Sequence, residues 1–319
     1  MTLKAPFPYF GGKRRAAERI WNALGNPDHY VEPFCGSAAV LLARPDPARC
    51  ETINDADGMV ANFWRALRSA PDAVAEWADW PVNEVDLHAR HLWLIGQRES
   101  LTERLIADPE WCDPKAAGWW CWGACAWIGT GWCSQPSRKL PHTGDEGRGI
   151  HAPRRGAAFA DDAVAHASVR EWFAALSERL RPVRVCSGDW SRVLGPSSLW
   201  AHVRTSSTGV VGVYLDPPYS EGAQDYAVGG TGTSLSAEVR AWCKQHGSNP
   251  RLRIVLSGYA GEHDALEALG WRVEEWKTKG GYSSAGGENA NQRRERLWLS
   301  PACVGSRQRS IFDVIGGAR

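Results

Sequence analysis

Short apolar runs and amphipathic segments alternate along this chain. The apolar runs predict strands at residues 30–32, 51–57, 184–186, 210–215, 252–257, 271–277 and 296–300. Apolar positions at helical spacing predict helices at residues 14–24, 234–244 and 262–269. This alternation is typical of a doubly wound α/β sheet, and the last two strands, joined by a glycine-rich loop, predict an antiparallel edge. Residues 65–182 interrupt the alternation with a predominantly helical pattern.

The apolar run at residues 210–215 ends in Asp216, Pro217, Pro218 and Tyr219. Two consecutive prolines cannot continue a strand ladder, so the chain must leave the sheet there with carbonyl oxygens free to accept hydrogen bonds. Asp216 then lies at the carboxyl end of a central strand, where open α/β sheets bind ligands. An acid and a carbonyl that grip an amino group, beside a ring that can stack, suit catalysis on the exocyclic amine of a base. The alternative is an ordinary strand-terminal turn.

Two glycine turns near the amino terminus indicate a nucleotide site. The run Tyr9-Phe10-Gly11-Gly12-Lys13 precedes the first predicted helix, and paired glycines there let the backbone approach a ligand closely. A second run, Glu32-Pro33-Phe34-Cys35-Gly36-Ser37, breaks the first strand into a helix. Asp55 lies near the end of the next strand, about twenty residues after that turn, where an acid commonly accepts hydrogen bonds from a ribose.

The formal net charge is only +1, from 37 basic and 36 acidic residues. A nucleic-acid enzyme must therefore concentrate its positive charge locally. One basic run contains Arg138, Lys139, Arg148, Arg154 and Arg155. Because this run is rich in Gly, Pro and Ser, it is interpreted as a loop that contacts phosphates. A second basic run, at residues 293–296, is interpreted equally well as a solvated loop.

Residues 111–133 contain six tryptophans and four cysteines. The cysteine spacing lacks a paired knuckle, so a compact hydrophobic core is favoured over a structural zinc site, and we expect no metal. Stacking of some of these rings on a base stays open as an alternative.

Nine scattered cysteines do not form a disulfide framework and are expected to be reduced. No stretch is apolar enough to cross a bilayer and no signal peptide is present, so we expect a cytoplasmic protein without membrane contact.

The motifs above, together with Gly188-Asp189-Trp190, resemble in their order and spacing those of the Dam-like, D12-class DNA adenine-N6 methyltransferases. The resemblance implies a Rossmann-like mixed sheet of the S-adenosylmethionine-dependent methyltransferase type, with an inserted, mainly helical target-recognition domain. It implies a cofactor site formed by Tyr9, Phe10, Gly11, Gly12, Lys13, Glu32, Phe34, Gly36, Ser37, Asp55, Asp189, Trp190 and Asp216. In that site Asp55 would hold the ribose and Asp189 would lie near the adenine of the cofactor. Glu32 and Gly36 would shape the methionine end.

The resemblance also divides the chain and suggests a mechanism. Residues 1–64 and 183–304 would form the catalytic domain, residues 65–182 the recognition domain and residues 305–319 a tail. The target adenine must be flipped out of the duplex because its amine is shielded there. Asp216 and the Pro217 carbonyl would accept the two N6 hydrogens at the turn that Pro218 completes. Tyr219 would stack on the base, and Phe34 or Phe10 would close the pocket.

The sequence departs from the family's motifs at two places, and these departures limit which of the family's properties we expect here. Pro8 stands where enterobacterial members have a lysine that reads a guanine, so we do not expect their GATC specificity. Ser37-Ala38 stands where many relatives have a further glycine. Methyl transfer to another amine (cytosine N4, RNA or protein glutamine) and a non-catalytic DNA-binding role stay open as alternatives. We expect a monomer that acts on double-stranded DNA in a restriction-modification, phage or prophage setting, with a cognate restriction endonuclease as a candidate partner.

Overall fold

The predicted apolar runs form one mixed sheet. The computed structural model describes residues 3–9, 13–46, 50–127, 131–134, 150, 168–201, 203, 209–219, 232–276 and 295–305. Its strands are β1 (His29–Glu32), β2 (Cys50–Asp55), β3 (Val183–Ser187), β4 (Val211–Leu215), β5 (Leu252–Tyr259), β6 (Arg272–Glu275) and β7 (Glu295–Leu299). Within the described residues the strand order is β3-β2-β1-β4-β5-β7-β6.

Strand direction in this sheet follows the prediction. β7 is antiparallel to its neighbours β5 and β6, whereas the other pairings are parallel. The expected mixed sheet with an antiparallel closing pair is therefore confirmed. The chain builds outward from β1 through β2 to β3 and then returns to β4 on the other side of β1. This reversal creates a crevice at the carboxyl ends of β1 and β4, the usual place for a ligand in such sheets.

Helices connect the strands. They are α1 (Ala17–Leu24), α2 (Ala39–Leu42), α3 (Gly58–Ser69), α4 (Pro71–Ala78), α5 (Glu84–Ala107), α6 (Pro114–Ala126), α7 (Val169–Leu180), α8 (Pro196–Trp200) and α9 (Gly232–His246). α1 begins later than predicted because residues 14–16 form a turn closed by the Ala16 N–H donating to the Lys13 carbonyl. The helix predicted at residues 262–269 is a 3-10 helix, Asp264–Leu269. No helix in the described part of the chain is long and apolar enough to span a membrane.

Polar residues determine where the helices between β2 and β3 begin. The side chains of Asp57, Asn83, Asp113 and Ser168 accept hydrogen bonds from backbone N–H groups in the first turns of α3, α5, α6 and α7, respectively. These caps satisfy donors that a helix cannot pair internally. The starts of these helices are therefore specified by their local sequence.

The helices of residues 65–182 share a hydrophobic core with the sheet. Phe63 and Trp64 of α3 contact Phe7, and Phe63 also meets Trp120 of α6 and Phe173 of α7. Of the six tryptophans predicted to form a core, Trp120 is 4% exposed and Trp122 is fully buried, while the other four pack against the core half-buried. α3 itself crosses the domain boundary predicted after residue 64. A separate recognition domain at residues 65–182 stays a prediction.

Ion pairs between buried side chains hold the end of α7 against the start of β2. Glu51, which is fully buried, accepts hydrogen bonds from Arg179 at 2.6 and 2.9 Å and lies 3.4 Å from Arg44. Removing one member of such a group leaves an uncompensated buried charge, so the arrangement is strongly fixed. α7 therefore ends at the amino edge of the sheet and begins towards the carboxyl edge.

Candidate active site

The chain leaves β4 at Asp216, in the middle of the carboxyl edge of the sheet. One oxygen of the carboxylate, Oδ1, lies 3.2 Å from Lys13 Nζ and accepts from the Tyr219 hydroxyl at 3.1 Å. The Lys13 side chain is 3% exposed and that of Asp216 is 18% exposed. Burial raises the pKa of Asp216 above its ordinary value, and the Lys13 ammonium acts against this rise. The site therefore contains a largely buried carboxylate that two donors orient.

Tyr219 follows the two prolines, and its side chain lies back against Asp216. Pro217 is buried, Pro218 is half-buried, and Tyr219 is 7% exposed. The Tyr219 ring meets the Tyr259 ring edge-on with centroids 4.6 Å apart. Lys13 Nζ lies 5.0 Å from the Tyr219 centroid, within the range of a cation–π interaction. The residues predicted as catalytic thus come together, and Lys13 joins them.

Glu32 ends β1, the strand beside β4. Its Oε2 accepts hydrogen bonds from the Tyr30 hydroxyl at 3.0 Å and from the Leu41 backbone N–H at 3.2 Å. Burial raises the pKa of Glu32 to about 8, and the Asp216 carboxylate adds to the rise. The Glu32 carboxyl is therefore largely protonated at neutral pH, and a cation placed nearby would favour its ionisation.

Gly36 forms the turn between β1 and α2 with a φ of +45°, in the left-handed region that favours glycine. A Cβ at this position would lie 2.3 Å from Cδ1 of Tyr9, so the turn needs a residue without a side chain. The Gly36 N–H donates to Asp55 Oδ2 at 2.9 Å, and the Gly36 carbonyl accepts from the Trp64 indole at 2.9 Å. Three predicted cofactor residues, Tyr9, Gly36 and Asp55, are therefore mutually held.

Ala38, in the segment where many family members have a further glycine, adopts a backbone conformation that favours glycine. Its φ is 50°, also in the left-handed region, and it directly precedes α2. Ser37 beside it is buried. An alanine in this conformation is less favourable than a glycine, so the departure adds local strain to the turn.

Asp55 lies at the end of β2 and supports two loops. Its Oδ1 accepts from the Asp57 N–H at 2.9 Å, while Oδ2 accepts from Gly36. Burial raises the pKa of Asp55 to about 7, although the backbone hydrogen bond from Asp57 acts in the opposite direction. Because each carboxylate oxygen has two acceptor sites, Asp55 can still accept hydroxyl groups.

The neighbouring Asn54 joins the ends of three strands. Its amide donates to the Pro33 carbonyl, after β1, at 3.0 Å and to the Gly188 carbonyl, after β3, at 2.9 Å. In the sequence Asn54 belongs to the Asn54-Asp55 motif of the family resemblance, without a predicted role of its own. Asn54 therefore supports the crevice by linking these strand ends.

Beyond β3, Asp189 and Trp190 lie near Phe34. Asp189 is exposed and accepts from the Ser191 N–H at 2.9 Å. The Trp190 ring is nearly parallel to the Phe34 ring, with centroids 6.0 Å apart and an interplanar angle of 25°. Three residues predicted to bind the cofactor, Phe34, Asp189 and Trp190, therefore lie close together.

Several predicted site residues fall outside the described residues: Phe10, Gly11, Gly12, Arg138, Lys139, Arg148, Arg154 and Arg155. Their roles stay predictions. Within the described ranges no group of three or more His, Cys, Asp or Glu side chains could hold a metal ion. The thiols of Cys121 and Cys125 donate to the Pro6 carbonyl, which fastens the amino-terminal segment to α6.

Sequence reasoning missed Tyr259 and Glu295 at this edge of the sheet. They pair with each other in the β5–β7 ladder, at the end of β5 and the start of β7. The predicted strands ended at residue 257 and began at residue 296, so both residues lay just beyond them. The strand register, which the sequence pattern did not specify, brings them to the site.

The sheet and the acids at the ends of β1, β2 and β4 are compatible with a Rossmann-like methyltransferase. Residues 9–79 match the family model of the D12 class N6 adenine-specific DNA methyltransferases. This match confirms the resemblance to that family, whose members methylate adenine N6 in DNA. A search of curated proteins found no match. The matched residues include Lys13, Glu32, Gly36 and Asp55 and end before Asp216.

Proposed function

We propose that the crevice at the ends of β1 and β4 binds S-adenosylmethionine beside a flipped-out adenine and that Asp216 orients the adenine amine for methyl transfer. The observation that carries this proposal is the Asp216 carboxylate at the end of the central strand, held by Lys13 at 3.2 Å and by the Tyr219 hydroxyl at 3.1 Å. A carboxylate held in this way is preorganised as a hydrogen-bond acceptor.

The electronics of adenine define what these residues must do. The N6 lone pair is delocalised into the ring, so the amine is a poor nucleophile until its hydrogens are held by acceptors. Asp216 and the Pro217 carbonyl accept these hydrogens, and the lone pair then points at the methyl group. When bound, S-adenosylmethionine would supply the methyl group: its bond to sulfur would break as the bond to N6 forms, and the proton released from N6 would pass to water. Alignment and preorganised acceptors provide most of the rate gain.

The residues around the crevice fit the methyl donor. S-adenosylmethionine supplies an electrophilic methyl group on a positively charged sulfur. Glu32, Asp55 and Asp216 present acidic groups at three adjacent strand ends, which complements a cationic ligand. Asp55 has acceptor sites left for a ribose, and the Phe34–Trp190 pair beside Asp189 offers flat rings near an acceptor for the adenine of the cofactor.

DNA contact is proposed for the basic residues at positions 138–155. Cys133, which precedes them, is held at the carboxyl edge because Arg98 donates to the Cys133 carbonyl at 2.7 Å and to Asp57 at 2.8 Å. Ser168, which follows them, caps α7, whose start lies towards the same edge. Both flanks of this basic run therefore lie towards the side of Asp216, which supports a role in DNA phosphate contact.

The test of this proposal is Asp216→Ala, assayed by transfer of a labelled methyl group to DNA. Losing a preorganised acceptor should lower the rate on the order of 10²-fold or more, while DNA binding persists because Asp216 acts on the amine and not on phosphates. The matched control is Asp264→Ala, which removes an exposed acid from the 3-10 helix after β5. An Asp216→Ala protein that keeps more than about a tenth of the wild-type rate would contradict the assignment.

A further inference from the structure

A second carboxylate approaches the Lys13–Asp216 pair from the antiparallel side of the sheet. Glu295 is the first residue of β7 and pairs with Tyr259, the last residue of β5. The Tyr259 ring contacts Tyr219, and Lys13 lies over the Tyr219 ring. Strand register therefore brings Glu295 to the same point of the carboxyl edge as Asp216.

The surroundings of Glu295 are unusual for an acid. Its Oε2 is buried and has no hydrogen-bond partner among the described residues. Burying an unpaired carboxylate is costly, so such a group is retained where a cation compensates it. The charged group that lowers the pKa of Glu295 is Lys13, while burial and the Asp216 carboxylate raise it. Arg296, the next residue, directs its guanidinium to Glu275 at 2.9 Å.

We propose that Glu295 is a positioning residue for methyl transfer: its carboxylate shares the Lys13 ammonium with Asp216 and so leaves Asp216 available to accept from the adenine amine. Without a second anion, the Lys13 ammonium would pair with Asp216 alone. It would then compete with adenine N6 for the Asp216 carboxylate. With Glu295 ionised, the two carboxylates exceed the one ammonium by one negative charge, which matches the positive charge of the methyl donor. This inference rests on the proposed function of Asp216.

The experiment compares Glu295→Gln, Glu295→Asp and the control Glu275→Gln. Glu275 lies on β6, opposite Arg296 in the ladder, and its side chain is 72% exposed. Single-turnover methyl transfer to unmethylated DNA is measured at saturating S-adenosylmethionine, and cofactor affinity and thermal unfolding are measured in parallel. Glu295→Gln should lower the single-turnover rate by about 10-fold to 100-fold, the range for a misplaced catalytic group. Glu295→Asp should recover most of the rate, and Glu275→Gln should match wild type.

The pH profile separates this role from a purely structural one. Lys13 and Asp216 act on the Glu295 carboxyl, and Glu295 in turn contributes to the raised pKa of the buried Tyr214 phenol. If the ionised form of Glu295 is required, the wild-type rate should fall on acidification as Glu295 takes up a proton, and Glu295→Gln should keep only the part of this fall that protonation of Asp216 causes. In a Lys13→Met background, Glu295→Gln should have no further effect, because Glu295 acts through Lys13.

Three results would overturn the inference: a Glu295→Gln rate within twofold of wild type, an unchanged acidic limb in that variant, or full additivity with Lys13→Met. These outcomes differ from failure of the proposed function. If wild-type protein transferred no methyl group to adenine, the proposed function itself would fail. If wild type were active and Glu295→Gln equally active, the role of Glu295 alone would be rejected.

Discussion

Gly36→Ala tests the turn that joins the amino-terminal segment to the sheet. The substitution places a Cβ 2.3 Å from Tyr9 Cδ1 and 2.6 Å from Cε1, at a residue with φ of +45°. The loop cannot easily yield, since the Gly36 N–H and carbonyl are both held, by Asp55 and Trp64 respectively. We therefore expect the Tyr9 ring to be displaced.

The magnitude follows from two terms. A left-handed alanine costs about 1–2 kcal/mol, and overpacking adds about 1–3 kcal/mol. The lower entropy of the unfolded alanine chain offsets about 0.4–1 kcal/mol of this. The free energy of unfolding should thus fall by about 1–4.6 kcal/mol. Because Tyr9 and Asp55 lie in the proposed cofactor site, affinity for S-adenosylmethionine should fall at least about tenfold, equivalent to about 1.4 kcal/mol.

Urea unfolding and titration calorimetry measure the two effects. Gly96→Ala is the matched control, because a Cβ at Gly96 of α5 meets nothing within 4 Å. That variant should be more stable by about 0.5–1 kcal/mol and bind the cofactor normally. If Tyr9 transmits the effect, Tyr9→Ala and Gly36→Ala should be less than additive in cofactor affinity. Unchanged stability and affinity in Gly36→Ala would refute the reasoning.

Three further predictions concern charge. Asp55→Ala should weaken cofactor binding by roughly 1.5–3 kcal/mol, because a charged acceptor is lost from the ribose, and calorimetry showing wild-type affinity would remove Asp55 from the site. Since burial raises the pKa of Glu32 from 4.5 to about 8, the folded state keeps a proton that the unfolded chain has lost. The free energy of unfolding of the cofactor-free protein should therefore fall as pH rises from 4.5 to about 8, and Glu32→Gln should reduce this slope. An identical slope in the variant and the wild type would contradict the protonated state of Glu32 in the folded protein. Replacing Arg148, Arg154 and Arg155 by alanine should weaken DNA binding on all sequences and flatten its salt dependence by roughly 0.9 logarithmic units per lost phosphate contact, whereas a loss on one sequence only would indicate base reading.

The sequence was a good guide to the sheet because its strands are locally encoded. The apolar run before Asp216 and the prolines after it define both the strand and its end, and Gly36 marks a turn that a larger residue could not form. Helix starts were less accurate, since the residues before Ala17 form a turn first. Such boundary details depend on the hydrogen bonds that the ends of each element find.

The residues that escaped prediction depend on tertiary contacts. The role of Asn54 was not predicted because it requires that Pro33 and Gly188 lie on either side of it across the sheet. Glu295 and Tyr259 become neighbours of Asp216 through the antiparallel register of β5 and β7, which a period of two residues cannot specify. The shared core of residues 65–182 and the sheet likewise follows from packing between distant segments.

The central claim, that this crevice methylates N6 of adenine through Asp216, is tested most directly by identifying the modified base. Unmethylated DNA is incubated with the protein and S-adenosylmethionine, digested to nucleosides and analysed by mass spectrometry, with Asp216→Ala in parallel. We expect N6-methyladenine from the wild-type protein and at least about 10²-fold less from the variant. N4-methylcytosine in place of N6-methyladenine, or equal amounts of N6-methyladenine from both proteins, would contradict the account.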